Sequence, residues 1–151
     1  MMEQFYTARQ VVRFAISLEQ ASQQFYRRLA AGAEPAINTY LLQLAEEESL
    51  HEQSLRNAID TSGEDLSAAS VSPKEVDAYI QAVKLPEPFD YLSAVRLARD
   101  KENASRMLYS VLAASTDNPA LEGLFLYLEQ QEMAHQLYFE KEFARISIGR
   151  N

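Results

Sequence analysis

The chain has 151 residues, 47% of them hydrophobic, and a formal charge of −8 from 22 acidic and 14 basic side chains. That is enough apolar material for one folded domain, expected over residues 1–151, rather than a disordered chain. The absence of cysteine rules out disulfides, thiolate zinc sites, iron–sulfur clusters and a cysteine nucleophile, and no basic stripe offers a nucleic-acid surface.

Only four Gly and five Pro interrupt the chain, which favours long helices. The first is expected over about 4–32, with Ala8, Val12, Ala15, Glu19, Ser22, Tyr26 and Leu29 stepping by threes and fours along one seam. Gly32 ends it and Pro35 opens the second, over about 35–60, whose seam is Ile37, Leu41, Leu44, Glu48, His51, Leu55 and Ile59. A stretch of different texture follows over 61–88. There Ser72-Pro73-Lys74-Glu75 reads as a capping box that starts a short helix over 73–84. The third long helix, about 89–115, carries Tyr91, Val95, Ala98, Glu102, Ser105, Tyr109 and Leu112. Asn118-Pro119 caps the fourth, about 119–146, with Leu121, Phe125, Leu128, Glu132, His135, Phe139 and Phe143 on its seam.

The two halves repeat. Residues 19–30, EQASQQFYRRLA, match residues 102–113, ENASRMLYSVLA, at an offset of 83, and Glu48-Ser-Leu-His51 returns as Glu132-Met-Ala-His135 at an offset of 84. A helical hairpin is thus present twice, joined by a connection far longer than antiparallel neighbours need. A long crossover suits helices that start and finish at opposite ends of a bundle. The expected fold is all-α, a ferritin-like four-helix bundle whose crossover between helices 2 and 3 carries a short extra helix.

Six polar residues occupy seam positions where apolar side chains belong: Glu19, Glu48, His51, Glu102, Glu132 and His135. A buried carboxylate is costly unless something pairs with it. Four carboxylates balance two divalent cations, which accounts for all of them together. Glu and His at i and i+3 share one helix face, so each Glu-x-x-His can reach a metal inside the bundle. One Glu from each of two helices, with Glu-x-x-His from each of the other two, is the di-metal carboxylate constellation of helical bundles. Carboxylates with one imidazole per metal suit iron, with manganese as the second choice.

Other polar residues are read more plainly. Glu46, Glu47 and Glu52 form a solvated flank, with Glu47, next to the site by helical stepping, the one candidate for an extra ligand or an outer partner of a ligand. Glu129, Glu140 and Glu142 are read as surface. Tyr26 and Tyr109 lie seven residues beyond Glu19 and Glu102. They are read first as packing, and second as donors to a ligand carboxylate.

Taken together, LEQASQQFYRRLA, LARDKENASRMLYSVLA and the two Glu-x-x-His motifs resemble the ferritin-like di-iron superfamily, in its rubrerythrin and bacterioferritin branch. The resemblance covers about 4–60 and 89–146. It implies Glu19 and Glu102 as terminal ligands, Glu48 and Glu132 as bridges, and His51 and His135 as one ligand to each metal. It further implies two iron ions that reduce H2O2 or O2 as they pass from ferrous to ferric, in an oxidative-stress or iron-redox role. The chain departs from rubrerythrins at Ser105, where an additional carboxylate is usual, and in lacking cysteines for a rubredoxin-type donor. Electrons are therefore expected from a separate donor protein or small reductant, and a homodimer rather than a cage of many subunits.

Two alternatives stand beside that reading. One is a ferroxidase and iron-storage protein. The other is a non-enzymatic helical interaction module with a structural di-metal site. No run of eighteen apolar residues predicts a membrane span, and Met-Met-Glu-Gln-Phe does not start as a secretory signal, so the expected location is the cytoplasm.

Overall fold

Two hairpins of long helices build the protein, and a computed structural model describes them over residues 4–80 and 88–149. A two-residue strand β1 (Tyr6–Thr7) leads into α1 (Ala8–Ala31), followed by α2 (Pro35–Ala68), β2 (Ser70–Val71), α3 (Pro73–Val76), α4 (Tyr91–Ser115) and α5 (Pro119–Gly149). Extensive interfaces join α1 to α2 and α4 to α5, and lighter ones join α1 to α4 and α2 to α5. The seams predicted from periodicity are the buried faces. Only Ile37, Ile59, Tyr91 and Phe143 among them are less than fully buried.

Local chemistry fixes the helix starts. The Thr7 hydroxyl accepts from the Gln10 amide at 3.2 Å while the Gln10 side chain accepts from Thr7 N–H at 2.9 Å, a reciprocal cap that opens α1. Asp90 accepts from Ser93 N–H at the start of α4. Asn118 accepts from the amides of Ala120 and Leu121 at the start of α5, with Pro119 at the first turn.

The direction of the helices explains the crossover. Tyr26 meets Glu102 and Tyr109 meets Glu19, so increasing numbers on α1 oppose decreasing numbers on α4. The two are antiparallel. Because α1 is also antiparallel to its hairpin partner α2, α2 and α4 run parallel, and the chain between them must return along the bundle.

Three boundaries differ from the sequence expectation. Helix α1 starts at Ala8 rather than residue 4, because Tyr6–Thr7 pairs with Ser70–Val71 and Ala8 N–H bonds to Ala69 O at 2.9 Å. Helix α2 runs past residue 60 to Ala68, absorbing the Thr-Ser-Gly stretch as a kink at Ser62 (φ −135°, ψ 27°). The helix expected over 73–84 is one turn. The Ser72 side chain makes no cap bond, and Val76 O takes the amides of both Tyr79 and Ile80, which closes the turn. Tyr79 and Ile80 then pack on the core beneath; residues 81–84 lie outside the described residues.

Two apolar cores fill the bundle, one at each end. The first gathers Val12, Ala15, Leu55, Leu66, Leu108, Leu112, Phe125 and Leu128 with Val71 and Val76 of the crossover. The second gathers Phe25, Leu29, Leu41, Leu44, Val95, Ala98 and Phe139. Each long helix passes from one core to the other, and the stretch between them carries its polar seam residues. Among the described residues, no helix is long and apolar enough to cross a membrane.

Candidate metal centre

The polar layer between the cores brings all six seam residues together, each no more than 4% exposed. Helix α1 supplies Glu19, α4 supplies Glu102, and α2 and α5 each supply a Glu-x-x-His face. Their ligand atoms form two overlapping groups, Glu19–Glu48–His51–Glu132 and Glu48–Glu102–Glu132–His135, with the atoms of each within 4.8 Å of one another. Glu48 and Glu132 belong to both.

The geometry follows the sequence duplication closely. His51 Nδ1 lies 3.0 Å from Glu132, 3.6 Å from Glu19 and 3.7 Å from Glu48. His135 Nδ1 lies 3.1 Å from Glu48, 3.6 Å from Glu102 and 3.7 Å from Glu132. The imidazole rings are 6.2 Å apart, nearly parallel at 18°. On the far side of its ring, His135 Nε2 meets Glu47 at 2.6 Å. That leaves Nδ1 aimed inward and Nε2 held by an outer carboxylate, the orientation by which metal-binding imidazoles are usually fixed.

Both tyrosines do more than pack. Tyr26 stacks on Phe139 at 5.6 Å, and its hydroxyl donates to Glu102. Tyr109 donates to Glu19. The packing role favoured from sequence therefore takes second place to these bonds. Burial, with the charges of Glu48, Glu132 and Glu19, holds the Tyr26 hydroxyl well above its ordinary pKa. Burial and the charge and hydrogen bond of Glu19 do the same for Tyr109, so both remain donors.

Electrostatics inside the layer are severe. Burial pushes Glu19 well above the usual carboxylate range, and the charges of Glu48 and Glu132 add to it. Burial acts in the same direction on Glu48, but the proximity of Glu19, His135 and His51 overcomes it and holds Glu48 well below that range. Burial alone would lower both histidines. Contacts with Glu132, Glu19 and Glu48 instead push His51 up to about 12, and contacts with Glu132 and Glu48 push His135 up to about 11. The protons stand where cations are wanted.

These residues fit a pair of divalent cations. Glu19 Oε2, Glu102 Oε2 and Glu132 Oε2 are buried without a hydrogen-bond partner among the described residues. An orphaned buried acceptor costs roughly 1–3 kcal/mol, more when charged, and a bound cation would satisfy all three. Each group offers three carboxylates and one imidazole, a donor set matched to iron or manganese.

Sequence reading missed two buried charges. Glu142, read as surface, is 7% exposed and bonds Arg145 and Tyr138 away from the centre. Lys101 is 3% exposed and lies inside the polar layer. Its Nζ donates to Ser22 at 2.6 Å, to Tyr26 at 3.1 Å and to Glu102 at 3.1 Å. The repeat contained the signal, since an offset of 83 aligns Lys101 with the buried Leu18.

Comparison with known proteins gives the same picture. A ferritin-like diiron-carboxylate protein, as the Thermotoga maritima structure is described, shares 18% sequence identity with a TM-score of 0.80, over 95% of this chain and 98% of that one. A hypothetical protein from Pyrococcus furiosus shares 25% identity with a TM-score of 0.70, over 92% and 89% of the two chains. No curated protein matches the sequence. The bundle is therefore ferritin-like in fold. The model of the rubrerythrin family matches residues 10–143, from the first turn of α1 to the last turns of α5, and the chain belongs to the rubrerythrin family.

Proposed function

We propose that this chain is a non-haem di-iron oxidoreductase that reduces H2O2 or O2. The observation that carries the reading is the sharing of Glu48 and Glu132 between two ligand groups, each completed by its own glutamate and histidine. Two ferrous ions held there would supply the two electrons that, with two protons, convert H2O2 into two waters.

The chain's own residues set the conditions. Glu48 and Glu132 would bridge the metals, Glu19 and Glu102 would each bind one from the α1–α4 side, and His51 and His135 would bind through Nδ1. Tyr109 and Tyr26 fix the rotamers of Glu19 and Glu102 by holding one oxygen of each. The apolar cores on either side of the layer keep water from it. Glu47, with a side chain 33% exposed, links the buried His135 to solvent. With no cysteine in the 151 residues to hold an iron–sulfur donor, a separate protein or small reductant would return the iron to the ferrous state.

The test is anaerobic loading with ferrous iron, followed by H2O2 or O2 and optical spectroscopy. The reading expects about two irons per chain, as in di-metal carboxylate bundles, both oxidised and with peroxide consumed. Failure to oxidise bound iron with either oxidant would overturn it. Uptake continuing far beyond two irons would mark a storage protein instead.

A further inference from the structure

The centre is nearly two-fold symmetric in its ligands, and Lys101 breaks that symmetry. Its counterpart in the first half, Leu18, is 5% exposed and carries no charge. Lys101 Nζ has three hydrogen-bond acceptors, Ser22 Oγ, Tyr26 Oη and Glu102 Oε1, which match the three hydrogens of an ammonium. Its nitrogen also lies 4.4 Å from the centre of the Tyr26 ring. Burial lowers the Lys101 pKa, but the three acceptors and the charges of Glu48, Glu132 and Glu19 favour the ammonium form. The side chain is thus placed as a cation rather than folded away as an aliphatic stem.

The direct contact falls on one ligand. Glu102 Oε1 carries both Tyr26 and Lys101 as donors, leaving Oε2 to face His135 at 3.6 Å. Glu19 Oε1 has Tyr109 alone, and its Oε2 faces His51 at 3.6 Å. A cation 3.1 Å from Glu102 draws charge from that carboxylate and repels a divalent ion beside it, and in a low-dielectric layer neither effect is screened as in water. Among the described residues no lysine or arginine donates to Glu19, which feels the Lys101 charge only from a distance.

We propose that Lys101 makes the two metal positions unequal, so that a divalent cation fills the Glu19–His51 position before the Glu102–His135 position. The proposal rests on the di-metal reading of the centre and adds the order in which it loads. Lys101 is a positioning residue: it acts through Glu102 and touches no metal.

The two histidines are the only ones in the chain, so 15N-histidine-labelled protein gives one pair of ring signals per metal position, assigned with a His51→Gln variant. Zn2+, which is diamagnetic, serves as the probe in a titration of the metal-free chain. At one equivalent the His51 signals should be mostly bound, with His135 about a quarter bound or less; at two equivalents both should be bound. Affinities at the two positions should differ by at least about tenfold, the scale on which residues behind a ligand tune metal binding.

Lys101→Leu, which copies Leu18 into the second half, should bring the two positions to within a fewfold. Lys101→Gln, which keeps donors but not charge, should do nearly the same. The wild-type order carries the test even if a variant fails to fold. If the histidines shift together, or His135 first, the inference is overturned while the di-metal reading stands. If neither shifts, that reading falls as well.

Discussion

Tyr109 on α4 donates its hydroxyl hydrogen to Glu19 on α1, and it is the one hydrogen-bond donor found for that carboxylate among the described residues. Its counterpart Tyr26 shares Glu102 with Lys101. Tyr109→Phe should therefore cost the metal-free protein about 1–3 kcal/mol, the range for a buried acceptor left unpaired, and Tyr26→Phe should cost less. Urea unfolding of both variants checks the order; equal losses would contradict it.

Metal removal should lower stability by linkage alone. A ligand at a hundred times its dissociation constant adds about 2.7 kcal/mol to the folded state, and three orphaned carboxylate oxygens give this fold reason to prefer the bound form. The melting temperature should rise with added Mn2+ and return to the metal-free value with a chelator. Glu48→Gln and Glu132→Gln each remove a carboxylate shared by both groups, so the rise should shrink sharply in both.

Without metal, the pH profile has a definite sign. His51 and His135 are raised from 6.5 to about 12 and about 11. Their contribution is whole below pH 6.5 and is lost as pH climbs toward 11–12, by up to about 1.4 kcal/mol per unit for each. Glu19, also raised, loses its contribution in the same direction above 4.5. Glu48 is depressed, so its contribution is present above 4.5 and lost in acid. Metal-free stability should peak between pH 4.5 and 6.5, which denaturation across pH 3–10 would show; a maximum above pH 8 would contradict it.

Metal binding must displace the same protons. Ligands bind deprotonated, and at pH 7 His51 and His135, raised to about 12 and about 11, hold their extra protons in the metal-free fold. Loading should release about two protons per chain, read by an indicator dye in weak buffer. Release of none would mean the charges are arranged otherwise.

Glu47 holds His135 from behind at 2.6 Å. Glu47→Gln should weaken metal binding at the His135 position by about 10–100-fold, the usual effect of removing a ligand's outer partner, and leave the His51 position nearly unchanged. A titration following both histidines separates the two.

The sequence made the four helices and the ligand sextet legible because both rest on periodicity. Glu19, Glu48, Glu102 and Glu132 fall on seams whose other members are apolar, and a seam position fixes burial whatever the residue. The crossover was less legible. Ser72-Pro73-Lys74-Glu75 has the pattern of a helix start, but Tyr79 and Ile80 pack onto the core after one turn. Lys101 sits one residue before Glu102 and reads as surface by its type. Only the three acceptors gathered around it from α1 and α4 make its burial tolerable, and two of them, Ser22 and Tyr26, are distant in the chain. Tyr26 and Tyr109 were placed correctly on the seam, but their bonds depend on α1 and α4 being antiparallel.

The most direct test of the account is the number of ferrous ions bound by the metal-free chain in an anaerobic titration. Two per chain are expected, falling to one or fewer in Glu48→Gln and Glu132→Gln, because each of these carboxylates serves both ligand groups. Binding of no iron, or two irons undiminished by both substitutions, would contradict it.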